Sequence, residues 1–186
     1  VIGICASVGG PRALENVLRR IPADYATPIL VVQHMSPGFI GGLVEWLGAN
    51  IALPVRLARD GERLGPGVAF APDGSHLVLD SAKSIRLDTE TTVGHHRPSG
   101  DMLLESLARV AGARAVAVVL TGMGSDGASG LAAVAAAGGK TIAQDEPSSV
   151  VYGMPRAAAE LGAQRILAPE AIGAELAAIG QRRPRR

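Results

Sequence analysis

Apolar positions along this chain follow two patterns, and each predicts a different kind of element. VIGIC (1–5), PILVV (28–32) and AVAVVL (115–120) are continuous apolar runs, as expected of strands buried on both faces. Apolar residues spaced by three and four predict helices between them. Pro11 suits the first turn of a helix reaching about Arg20, because its missing N–H is not needed there and its φ is preset. A second helix is expected from about Phe39 to Gly48. In RPSGDMLLESLARVAG, Ser99 or Asp101 can cap a helix whose stripe is Met102, Leu103, Leu107 and Val110 and whose end is Gly112. ASGLAAVAAAGG, PRAAAELG and PEAIGAELAAIG predict three more helices, and TIAQD a short strand after the first of them.

The middle of the chain differs. VRLARDGERLGPGVAFAPDGSHLVLD and SIRLDTE are short runs broken by DG and PG turns, which predicts a β-hairpin insertion with an antiparallel component. No composition break separates it from the rest, and no internal repeat is present. Strands alternating with helices imply an α/β fold, a doubly wound and mostly parallel sheet with helices on both faces. Such sheets bind ligands beyond the carboxyl ends of their strands. Ser7, His34 and Asp126 each lie just past such an end.

Composition narrows the function classes. A chain of 186 residues fits one domain, 1–186, and 47% hydrophobic against 19% charged residues argues against disorder. A net charge of +1 gives no basis for a nucleic-acid partner. The basic tail QRRPRR (181–186) reads as a solvated terminus. The single cysteine, Cys5, excludes an internal disulfide and a cysteine metal cluster. No apolar run is long enough for membrane insertion, and the opening lacks the basic start of a signal peptide, so a cytoplasmic location is expected. The chain starts at Val1 almost directly on its first strand, which suggests a piece of a longer protein.

Local pattern offers two chemistries. A serine hydroxyl becomes a nucleophile when a histidine takes its proton and a carboxylate orients that histidine. ASVGGP crowds Ser7 little, although taken alone Ser7 also fits a turn, a cap or an anion-binding loop. His34, after a buried run, is the best base among four histidines, while His95 and His96 read as rim residues. Zinc is not expected, since adjacent histidines reach one ion poorly and no HExxH or cysteine spacing is present. The competitor is GMGSDG, which matches GxGxxG after a strand, with Asp145 ending the next strand, as in a dinucleotide-binding fingerprint. Asp126 would then place a carboxylate where a pyrophosphate needs donors. The fingerprint explains one strand end, and the three-residue reading explains three.

ASVGGPRAL, QHM, TGMGSDGASG and QDEPSSVVYGMP, in that order from Val1 to about Ala159, resemble the catalytic domain of the chemotaxis protein-glutamate methylesterase family. The resemblance implies a doubly wound sheet with a hairpin insertion and a serine hydrolase that needs no cofactor. It implies Ser7 as nucleophile, His34 as general base and Asp126 as its orienting acid, with the Met123 backbone amide in the oxyanion hole. The implied substrate is a glutamate γ-methyl ester on cytoplasmic helices of chemoreceptors, with glutamine deamidation in some members. The expected form is a monomer, with an amino-terminal receiver domain as partner in a longer protein and absent from residues 1–186. Two positions depart from the family pattern. Val8 replaces the usual threonine, which keeps an oxyanion amide but removes a side-chain hydrogen bond. Gly100 replaces a bulkier residue, which is expected to loosen the start of its helix.

Overall fold

Ile2–Ala6 (β1) is buried at every position, and so are Ile29–Gln33 (β2) and Val116–Val119 (β7). These three runs form the middle of the sheet in the computed structural model, which describes residues 1–81, 84–93 and 96–181. Gly10–Leu18 (α1) and Ile40–Asn50 (α2) follow the first two strands. Val55–Leu57 (β3) and Val68–Phe70 (β4) come next, then the strands His76–Ser81 (β5) and Ser84–Asp88 (β6). Gly100–Ala111 (α3) leads through a 3₁₀ turn into β7. Ala128–Ala136 (α4), Lys140–Gln144 (β8), Met154–Leu161 (α5), Arg165–Leu167 (β9) and Pro169–Gln181 (α6) complete the described elements.

The main sheet has the order β3-β4-β2-β1-β7-β8-β9, with every pairing parallel. Side-chain alternation along β1 explains why both faces are covered. Ile2, Ile4 and Ala6 point into a core shared with Leu14 and Val17 of α1, Leu47 of α2 and Ile172 of α6. Cys5 points to the other face, with Leu104 of α3, Leu131 of α4 and Ala158 of α5. From β1 the chain winds outward through β2 to one edge, and from β7 it winds outward to the other. The direction reverses between β1 and β7, where doubly wound sheets open a crevice.

Two expectations are corrected in detail. The middle segment is only partly a hairpin: β5 and β6 pair antiparallel, whereas β3 and β4 join the main sheet in parallel at its edge. Three-residue strands carry too little pattern to reveal which sheet they join. The strand β9 was not anticipated, because Arg165 and Ile166 are exposed at the opposite edge and show no apolar run. The hairpin lies over α3, with the Leu79 amide donating to Ser106 Oγ at 2.8 Å. His95 and residues 182–186 of the basic tail lie outside the described residues.

Candidate active site

Strand β1 delivers Ser7 into a turn that its neighbours hold closed. The Ser7 amide donates to Thr121 O at 3.0 Å, and Ser7 O accepts from the Gly10 amide at 2.8 Å. Gln33, the last residue of β2, is buried, and its Nε2 donates to both Ser7 O and His34 O at 2.8 Å. The His34 amide in turn donates to Ala6 O at 2.9 Å. One carboxamide thus ties the backbone of the serine turn to that of the histidine. Each such bond contributes about 1 kcal/mol net, and a buried amide left without partners costs more.

A third tie comes from beyond β7. Thr121 Oγ1 donates to Val8 O at 2.9 Å and accepts from the Val151 amide at 3.0 Å. The Thr121 amide donates to Gln144 Oε1 at 2.8 Å, and Gln144 Nε2 donates to Ser148 O at 2.9 Å. Gly122 is needed for close approach: a Cβ there would lie 2.7 Å from Ser7 Cβ and would collide with Met154 Sδ. The side chains of Val8, next to Ser7, and Met123, next to Gly122, are exposed. Among the described residues, neither of their amides has a hydrogen-bond partner.

Asp126 is the most constrained group of the site. Its Oδ1 accepts from Ser99 Oγ at 2.8 Å and the Asp101 amide at 3.1 Å, and its Oδ2 from the Gly100 amide at 2.5 Å. The carboxylate therefore closes the N-terminus of α3, where unpaired amides and the helix dipole favour negative charge. His34 Nε2 lies 2.8 Å from Oδ2, and both side chains are 11% exposed. Burial alone would raise the Asp126 carboxyl above 3.8. The contact with His34, the Gly100 and Asp101 amides and the histidine charge outweigh burial and hold it at about 2. Asp126 is therefore ionised wherever the protein is folded near neutrality.

The structure brings His34 and Asp126 into contact and places Ser7 at the end of the adjacent strand. Both ring nitrogens of His34 are buried: Nε2 lies close to Asp126 Oδ2 but out of line for a hydrogen bond, and Nδ1 has no partner among the described residues, so no hydrogen bond joins it to Ser7 Oγ. Such bonds are often long before substrate binds. His96 does more than line a rim: its ring stacks on that of His34, with centroids 4.3 Å apart and planes within 10°. Gly100 is called for by close approach. A Cβ there would lie 2.7 Å from Cys5 Sγ, and its amide makes the short bond to Asp126. Burial, then the charges of Asp126 and Asp101, push the Cys5 thiol up and leave it a packing residue.

Gly122 and Gly127 of GMGSDG are required by close packing against Ser7, Met154 and Cys5, whereas Gly124 only turns the chain, at φ 86°. Asp126 faces α3 rather than a ligand, and Asp145, the acid a fingerprint would give to a ribose, accepts from the Ser148 amide at 3.3 Å. Among the described residues, no three His, Cys, Asp or Glu side chains converge as metal ligands. Sequence reasoning missed Gln33, Thr121 and Gln144. Polar residues at the ends of otherwise apolar strands were the available signal.

Comparison with known proteins agrees with this geometry. The family model for CheB methylesterase matches residues 2–176. A protein-glutamate methylesterase/protein-glutamine glutaminase of a group 3 operon in Rhizobium meliloti (strain 1021) is 46% identical over 185 residues, covering 98% of this chain and 52% of that protein. Protein-glutamate methylesterase/protein-glutamine glutaminase 3 of Myxococcus xanthus (strain DK1622) is 50% identical over 164 residues, 88% of this chain and 46% of that protein. The chain thus spans about half the length of these curated relatives. The crystal structure of the Thermotoga maritima CheB methylesterase catalytic domain superimposes with a TM-score of 0.92 at 37% identity, covering 96% of this chain and 97% of that one. On the family model, the curated relatives and the structural superposition, the chain belongs to the CheB methylesterase family.

Proposed function

We propose that this chain hydrolyses γ-methyl esters of protein glutamates, and the corresponding glutamine amides, on the cytoplasmic helices of chemoreceptors. The observation that carries this reading is the buried His34–Asp126 contact beside the serine turn, at the strand ends where the fold opens its crevice. Ser7 Oγ attacks the ester carbonyl while His34 Nδ1 takes its proton. The carbonyl oxygen becomes an oxyanion facing the amides of Val8 and Met123. Collapse of this intermediate breaks the bond to methoxide, which leaves as methanol with the proton from His34. Water then attacks the serine ester and gives its proton to His34, which passes it to Ser7 Oγ as that bond breaks and glutamate is released. With glutamine the leaving group is ammonia, and the second half is unchanged. Asp126 stays ionised throughout and stabilises the imidazolium.

Under this reading residues 1–186 are a catalytic domain, regulated by a receiver domain where the two are joined in one protein. Among the described residues no helix is long and apolar enough to cross a membrane. The test is incubation of the chain with a receptor fragment methylated on glutamate, following methanol and the new carboxylates by mass spectrometry. Stoichiometric methanol and carboxylate support the reading. No turnover of the methylated fragment refutes it.

A further inference from the structure

The N-termini of α3 and α4 are closed by each other's acids. Asp126 stands two residues before α4 begins, yet it accepts from Ser99 Oγ and the Gly100 and Asp101 amides at the start of α3. Asp101, in the first turn of α3, accepts from the Gly130 amide of α4 at 2.8 Å. α4 has no side-chain cap of its own; Gly127 occupies the cap position. The two helices touch where the acids cross: a Cβ on Gly130 would lie 2.7 Å from Leu104 Cβ and 2.9 Å from Asp101 O.

We infer that Asp101 is a positioning residue of the esterase site, acting through this exchange of caps to fix the Asp126 carboxylate against His34. The inference rests on the reading of Asp126 as the acid of a Ser-His-Asp site. Asp126 sits on a short linker between β7 and α4, so its place is set by whatever holds the first turn of α4. Its own three donors hold the carboxylate to α3. Asp101 holds α4 to the same helix end, and the linker between them loses its freedom to slide. The arrangement is not a favourable charge pair, because Asp101 and Asp126 repel. Burial raises the Asp101 carboxyl, the Gly130 amide lowers it, and the charges of Asp126 and Glu105 raise it further. Cys5 is the other titratable group influenced from beneath. Two like charges are tolerated this close because each meets the amides of a helix start. An uncrossed arrangement, each acid capping its own helix, would keep the amides satisfied and leave Asp126 unlinked to α3.

The test compares Asp101→Ala, Asp101→Asn and Asp101→Glu in this chain. The asparagine keeps the acceptor for Gly130 without the charge, and the glutamate keeps the charge but displaces the acceptor. Expected for Asp101→Ala is a fall in kcat of about 10- to 100-fold on the methylated receptor fragment, as sub-ångström misplacement of a catalytic group gives, with KM within about twofold. Asp101→Asn should recover kcat to within about threefold, and Asp101→Glu should not. The imidazole N–H resonance of His34 supplies a readout independent of turnover. It should be lost or moved in the alanine and glutamate variants and retained in the asparagine variant. If the alanine variant does not fold, the asparagine and glutamate pair decides. Parental kcat in Asp101→Ala, equal kcat in Asp101→Asn and Asp101→Glu, or an unmoved resonance in all three overturns the inference. A parent chain without esterase activity would refute the proposed function instead, and the resonance alone would then decide the role of Asp101.

Discussion

Replacing Asp126 by asparagine separates the charge of the acid from its shape. Asparagine has one acceptor oxygen where aspartate has two, so its orientation matters. With NH₂ at the Oδ2 position it would face both the Gly100 amide and His34 Nε2. With NH₂ at the Oδ1 position it opposes only the Asp101 amide, since the Ser99 hydroxyl can turn to accept. The second orientation is favoured, and it leaves the histidine tautomer unchanged. What is lost is the negative charge 2.8 Å from Nε2. At an effective dielectric of ~20 the attraction at that distance is roughly 6 kcal/mol. The retained amide dipole and entering water restore part of it, which leaves about 3–5 kcal/mol of lost imidazolium stabilisation in the transition state. At 1.36 kcal/mol per decade this is a fall in kcat of roughly 10²–10⁴-fold. The assay is methanol release from the methylated receptor fragment at saturating substrate, with a thermal melt to confirm folding. A folded Asp126→Asn variant that keeps more than about a tenth of parental kcat would refute the electrostatic role assigned to this acid.

His34→Ala should cost at least as much kcat as Asp126→Asn, roughly 10²–10⁴-fold, because it removes the proton acceptor itself; equal activity of variant and parent contradicts the role. Asp126 also gives acid sensitivity to stability. Its carboxyl lies at about 2 when folded against an ordinary 3.8, so its contribution, about 2 kcal/mol, is complete above pH ~4 and is lost as pH falls toward ~2. Asp101, raised by burial, acts in the opposite direction, so a denaturant series from pH 5 to 2 should show a shallower slope in Asp126→Asn than in the parent. No saturable binding of NAD or NADP is expected by calorimetry. A Kd below about 100 μM would reinstate the fingerprint reading of GMGSDG.

The central strands were legible in the sequence because burial on both faces leaves continuous apolar runs. Ser7, His34 and Asp126 could be proposed because each follows such a run by a few residues. The outer strands were not legible: in β9, Arg165 and Ile166 face solvent, and β3 and β4 have three residues each. The supports of the site were hidden for another reason. Asp101 looks like an ordinary first-turn acid of its own helix, and nothing local indicates that its acceptor serves Gly130, 29 positions away. Gln33 likewise looks like the polar end of a strand until the fold sets it against Ser7 O. The stacking of His96 on His34 depends on a loop that brings together rings far apart in the chain.

The claim on which the rest depends is that Ser7 becomes an acyl ester during turnover. The most direct measurement is the rate of methanol release by Ser7→Ala on the methylated receptor fragment, with circular dichroism confirming the fold. Removing an activated nucleophile normally costs several orders of magnitude, so methanol release should fall by ~10³-fold or more. A folded Ser7→Ala chain that retains more than about a tenth of parental kcat would contradict the account, because water would then be attacking the ester without the serine.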